Sequence, residues 1–222
     1  MGVAAKVNGW PAARGKYFTS AKLAKPWIEA EKPEYGILSL QAYLSLRKAL
    51  GLSLLGTVKT AAAGGQQYFL LSVNEDSAEG CKGKTLGTHF GGDTAFIDKV
   101  VAGEAFSLAD FTVKNTRRPV KTLKSVLRGE VDCALVDDAQ MAALAKLEGG
   151  KAAKAVWSST TFPSLIVAQF PKAGDKDAAH FAGNLDKVCK GEGAEACGGA
   201  GIESLVATKK DALDDVVAKY GG

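Results

Sequence analysis

Short apolar or β-rich runs alternate with stretches of helical spacing along most of the chain. YGILSL (35–40), LSLLGTV (52–58) and QYFLLSV (67–73) predict strands, and AYLSLRKALG between the first two predicts a helix stopped by its glycine. After the polar NEDSAEGCKG the pattern restarts with KTLGTHF as strand, DTAFIDKVVAG as helix and FTVKN as strand. PVKTLKSVLRG predicts a helix opened by Pro119 and closed by Gly129, with Val120, Leu123, Val126 and Leu127 on one face. VDCALV is the next strand, AQMAALAKLEGG a helix, and KAVWSS and SLIVAQF two further strands. Helices over roughly 175–190 and 203–220 end the prediction.

This alternation predicts an α/β fold with parallel sheets covered on both faces, because strands buried on both sides read as unbroken apolar runs. The polar joints near 74–83 and 158–164 are the predicted crossings between lobes. In open α/β sheets, ligands sit at the carboxyl ends of the strands, and Asp137 and Asp138 lie just past VDCALV. Two roles compete there: contact with a ligand, or Asp138 as the N-cap of the following helix with Asp137 solvated. THFGGDTAF poses the same choice. Gly92, Asp93 and Thr94 form either an anion cradle at a helix start or a plain glycine turn capped by Asp93.

The net charge of +4 is spread without a run of five like charges, which argues against nucleic acid or a polybasic anchor as partner. No apolar stretch reaches the length of a membrane helix, so direct insertion is not expected. MGVAAKVNGWPAARGK lacks the basic start, apolar middle and small-residue cleavage site of a secretory signal. Four cysteines show no zinc-ligand spacing. Cys189 and Cys197 flank the flexible KGEGAEA, which makes a small disulfide loop easy and leaves Cys81 to pair with Cys133; four reduced thiols are the alternative. No catalytic or metal-ligating cluster is visible around His89 or His180, so neither an enzyme nor a cofactor is expected.

Five stretches carry a family resemblance: YGILSLQAYL, LLGTVKTAAAGGQQYFLLSVNED, CKGKTLGTHFGGDTAF, TRRPVKTLKSVLRGEVDCALVDDAQM and AVWSSTTFPSLIVAQFPK, together spanning about 35 to 173. GEVDCALVDD followed by VWSSTTFP is the most specific combination. The chain resembles the periplasmic solute-binding proteins of the phosphate, phosphite and phosphonate ABC transporter group, which have the type 2 periplasmic-binding-protein fold. The resemblance implies two lobes, each a mainly parallel sheet flanked by helices, with a small ligand held between them and handed to a membrane ABC permease. Lobe 1 would take residues 1–77 and 161–222, and lobe 2 residues 78–160. The family's first strand has no counterpart before Val3. An extracytoplasmic location follows.

The chain also departs from the family. Where phosphonate binders place a Ser/Thr-rich helix start, it has Gly92, Asp93, Thr94 and Ala95; a family His is replaced by Pro119 beside Arg117 and Arg118; a cleft aromatic is matched by Gln66 or Gln67. The expected ligand set is therefore Gln66, Gln67, His89, Gly92, Asp93, Thr94, Arg117, Arg118, Asp137 and Asp138. Its mixed charge points to a polar ligand, zwitterionic or phosphonate-like, with Asp137 as the ammonium partner and Asp138 as the helix cap. The alternative is a solute-binding-like scaffold that has lost its ligand.

Overall fold

The computed structural model describes residues 2–61, 64–116 and 118–221. In chain order the elements are α1 (Gly2–Asn8), α2 (Ala21–Glu31), β1 (Tyr35–Ser39), α3 (Leu40–Leu50), β2 (Ser53–Thr60), β3 (Tyr68–Ser72), α4 (Ala78–Cys81), β4 (Thr85–Thr88), β5 (Thr112–Asn115), α5 (Pro119–Leu127), β6 (Cys133–Asp137), α6 (Asp138–Leu144), β7 (Lys154–Ser158), β8 (Leu165–Gln169), α7 (Asp175–Val188), α8 (Gly193–Gly199), β9 (Ile202–Ala207) and α9 (Asp214–Tyr220). A π-helical segment, Phe96–Ala102, lies between β4 and β5. Local chemistry sets several of these ends. Ser39 caps α3 by accepting from the Ala42 N–H at 3.2 Å, and Gly51 closes it in the left-handed conformation, φ 62°.

The chain divides into two units, Met1–Ala63 with Pro163–Asp214 and Gly64–Phe162 with Asp215–Gly222. The first is built on a four-stranded sheet of order β1-β8-β2-β9. Its core gathers Leu55, Val58, Val167, Phe181, Leu185 and Leu205, with α7 covering β2 and β9. Trp10, following α1, stacks on Tyr35 and packs against Phe181. A disulfide joins Cys189 to Cys197.

The second unit has a five-stranded sheet of order β5-β4-β6-β3-β7. On one face α5 and α6 bury Leu123, Val126 and Leu144 against Leu71, Ala134 and Val136. The Cys81–Cys133 disulfide ties the end of α4 to the start of the central strand β6, and both residues are fully buried.

Three sequence expectations change. The sheets are not mainly parallel: every pairing in the first is antiparallel, and in the second only β4–β5 and β4–β6 are parallel. The apolar runs of β3, β6 and β8 are buried as expected, whereas β1 and β7, at sheet edges, have no buried residue; β8, the return strand, achieves its burial by inserting antiparallel between β1 and β2. The unit boundary falls before β3 rather than near 77, because β3 is hydrogen-bonded between β6 and β7; the 74–83 segment runs within the second unit. The helix expected over 203–220 is a strand, β9, then a short helix, α9. Pairing with β2 along the edge of the sheet decides the outcome for IESLVA, a stretch whose local preference is weak. Among the described residues before Tyr35 the secondary structure is helical, α1 and α2.

Candidate functional site

Strand directions in the second sheet gather one rim. Thr88 pairs with Asn115 and Leu135, so the carboxyl ends of β4, β5 and β6 lie together; Tyr68, at the start of β3, pairs with Asp137, and Phe69 with Ser158 at the end of β7. The rim therefore carries residues 64–68, 88–94, 115–116, 118, 137–138 and 158–162. Of the ten residues expected at a ligand, nine stand on it. The tenth, Arg117, lies outside the described residues.

The acids on this rim hold backbone. Asp137, not Asp138, caps α6: its Oδ1 accepts from the Gln140 N–H at 2.9 Å, and the Gln140 side chain accepts from the Asp137 N–H at 3.3 Å. The cap falls one residue earlier than expected because α6 begins at Asp138, directly after β6, so the last strand residue is also the N-cap. Asp138 reaches across to the incoming loop, its Oδ1 accepting from the N–H groups of Gln66 at 2.9 Å and Gln67 at 3.3 Å. Gln67 in turn donates through its side-chain amide to the Ser159 carbonyl at 2.8 Å. A Cβ on Gly64 would collide with the Asp137 carboxylate, so the loop entering β3 passes directly over it.

Burial pushes the Asp137 carboxyl above its usual range; the hydrogen bond from Gln140 opposes that shift and the charge of Asp138 adds to it. A carboxyl raised in the fold contributes stability that is complete below its unfolded value near 3.8 and is lost as pH rises through the raised folded value. Asn caps a helix as well as Asp does. Asp137→Asn is thus expected to melt at or above the parent temperature at neutral pH, with the advantage growing as pH rises from about 4. A destabilised variant at neutral pH would contradict this reading, and melting curves across pH decide it.

After β4 the chain turns through Gly91 and Gly92 into the helix start at Thr94. Asp93 is again a cap: Oδ1 accepts from the Phe96 N–H at 3.0 Å and Oδ2 from the Tyr220 hydroxyl at 3.1 Å. The turn passes close against Asn115, whose side-chain amide would have to shift for a Cβ at Gly91. Beside this turn a shallow pocket of about 260 Å³ is lined by Asn115, Thr116, Arg118 and Lys121. Thr116 Oγ1 lies 2.6 Å from the Thr122 hydroxyl and Thr116 N–H donates to the Thr88 carbonyl at 2.8 Å, which fixes the pocket's base to the sheet. Two cationic side chains and two polar ones, set where β5 ends and α5 begins, suit an anion.

An aromatic cluster backs the rim: the buried Tyr68 ring packs edge-on against Phe90, Phe96 and Phe162. Burial, with the Asp137 and Asp138 charges adding, raises the Tyr68 hydroxyl well above its usual range, so it stays a neutral donor. His89 lies over Phe90, and its Nδ1 is buried with no hydrogen-bond partner among the described residues. Desolvation lowers its pKa. A base depressed in this way favours the fold above its unfolded value near 6.5, and that contribution is lost as pH falls through the lower folded value. His89→Phe is expected to flatten the fall in melting temperature between about pH 7 and 5; an unchanged slope would assign that acid sensitivity elsewhere.

Sequence reasoning missed Asn115, Lys121 and Phe90. The rule that marked Asp137, a polar residue just past a strand, applies equally to Asn115 after FTVK. Lys121 carries no such signal; only the turn of α5 brings it to Arg118.

No protein-family model matches the chain, and no curated protein matches it in sequence. Solved structures do match in fold. A binding protein component of an ABC phosphonate transporter from Pseudomonas aeruginosa superposes at TM-score 0.66 with 16% identity, over 96% of this chain and 76% of that one. A Xanthomonas citri protein bound to ATP gives 0.74 with 9% identity, over 98% and 88%. PhnD1 from Prochlorococcus marinus in complex with methylphosphonate gives 0.64 with 6% identity, over 97% and 88%. With its two α/β units and this breadth of structural match, the chain has the type 2 periplasmic-binding-protein fold.

Proposed function

We propose that the chain is an extracytoplasmic solute-binding protein that captures a small anion, of the phosphate or phosphonate class, for an ABC permease, and performs no chemistry on it. The observation that carries this reading is the pocket of Asn115, Thr116, Arg118 and Lys121 beside the Gly91–Gly92 turn. Arginine forks match tetrahedral oxyanions with paired hydrogen bonds, and a lysine adds a point charge. The fold neighbours bound to methylphosphonate and ATP, and the phosphonate-transporter component, are consistent with phosphorus oxyanions as the ligand class. The ammonium subsite expected at Asp137 is not retained in this reading, since Asp137, Asp138 and Asp93 each hold a helix or loop backbone. Two disulfides fit an oxidising compartment outside the cytoplasm.

Calorimetry and thermal shift with inorganic phosphate, methylphosphonate, an alkyl sulfonate and a neutral sugar test the reading. A ligand at about 100 times its dissociation constant should stabilise by about 2.7 kcal/mol. Stabilisation by one or more of the anions and not by the sugar is the expected result. A panel with no shift at all would leave the scaffold that has lost its ligand.

A further inference from the structure

The positive balance of the chain is not evenly placed. Five basic residues and no acid precede Glu29, so of 28 basic and 24 acidic residues the rest holds 23 against 24, a net charge of −1. The absence of a run of like charges hides this, because Lys6, Arg14, Lys16, Lys22 and Lys25 are spaced apart. The structure adds a second, independent oddity in the same stretch. Residues 10–20 form no regular element, and α2 buries only Ile28. At about 100° per residue, Leu23, Pro26 and Ala30 fall within about 40° of the direction opposite Ile28, and all three are exposed. The helix thus turns an apolar face to solvent, with Leu23 61% exposed. Tyr17, in the irregular stretch before α2, is 86% exposed, while Phe18 folds back onto Trp27 with ring centroids 5.5 Å apart.

We infer that this segment, roughly residues 14–30, is a docking surface for an anionic phospholipid bilayer. Apolar side chains flanked by lysines, with tyrosine and tryptophan beside them, match the headgroup region, where charge attracts the segment and rings and leucine enter the boundary. A second copy of the chain is a poor occupant of the same face, since two such segments would set Arg14, Lys16, Lys22 and Lys25 against the same four cations, with Glu29 the one acid on each. Among the described residues no helix is long and apolar enough to cross a membrane, so the association is with the surface. The inference is independent of the anion pocket, which lies in the other unit.

Co-sedimentation with vesicles of phosphatidylcholine alone, and of phosphatidylcholine mixed with phosphatidylglycerol, tests it at low ionic strength. The full chain should sediment with the mixed vesicles and not with the neutral ones, and added salt should release it. Lys22→Gln and Lys25→Gln should each weaken binding about fivefold. Tyr17→Ser combined with Leu23→Ser should weaken it further without moving the melting temperature, because both residues are solvent-exposed. Failure to bind the mixed vesicles, equal binding to neutral ones, or binding undiminished by these variants would each overturn the proposal.

Discussion

Cys81→Ala with Cys133→Ala is expected to cost about 4 kcal/mol of folding stability, the largest effect of any change considered for this chain. The two residues are 52 apart in sequence, so the bond closes a long loop of the unfolded chain and removes much of its entropy. The folded state also depends on the anchor point: Cys133 opens β6, which pairs with β4 on one side and β3 on the other. Loosening α4 from that strand exposes the middle of the sheet. For a chain of this length roughly 2–4 °C accompanies each kcal/mol, so the melting temperature should fall by about 8–16 °C. The Cys189–Cys197 bond, with a separation of 8, should contribute only about 2.5 kcal/mol by the same relation. Thermal melts of the two double variants check the order. A Cys81/Cys133 variant that melts within about 2 °C of the parent, well below the shift expected from about 4 kcal/mol, would refute the argument.

The second large effect is on ligand affinity. Arg118→Ala and Lys121→Ala should each weaken binding of the anion identified by the ligand panel about tenfold, and together on the order of a hundredfold, equivalent to about 2.7 kcal/mol. Charge-assisted hydrogen bonds contribute roughly 1.5–3 kcal/mol where water is excluded, and the lower end applies because both side chains are exposed. Their exposure also predicts little change in melting temperature without ligand. Lys124, exposed one turn farther along α5, provides a control of equal charge that does not line the pocket. If Lys124→Ala weakens the anion as much as Arg118→Ala, long-range attraction rather than the pocket accounts for binding. Calorimetry of the three variants separates these outcomes.

Much of the rim was legible because chemistry at strand ends is local. VDCALVDD announced a buried strand stopped by acids, and THFGGDT a strand stopped by a glycine turn; both stand at the carboxyl ends of parallel strands. Which of two adjacent carboxylates caps the next helix was not legible. That depends on where α6 begins, and it begins at Asp138 with no residue between it and β6. Nor was it legible that these acids are already engaged. Asp93, Asp137 and Asp138 read in sequence as three carboxylates open to a ligand, and in the fold each accepts from backbone N–H groups.

By itself the sequence determined the buried strands β3, β6 and β8, the ends of α3 and α5, and which side chains stand past the strand ends. Those properties follow from residue volume, polarity and short-range hydrogen bonding, with partners within a few positions. Only the tertiary structure decided strand direction and neighbour, and with them the fate of β8, β9 and the boundary before β3. An apolar strand satisfies its backbone equally in parallel or antiparallel pairing, so the choice rests on segments far away in the chain. The exposed face of α2 is likewise decided by the fold, which covers only Ile28 of that helix.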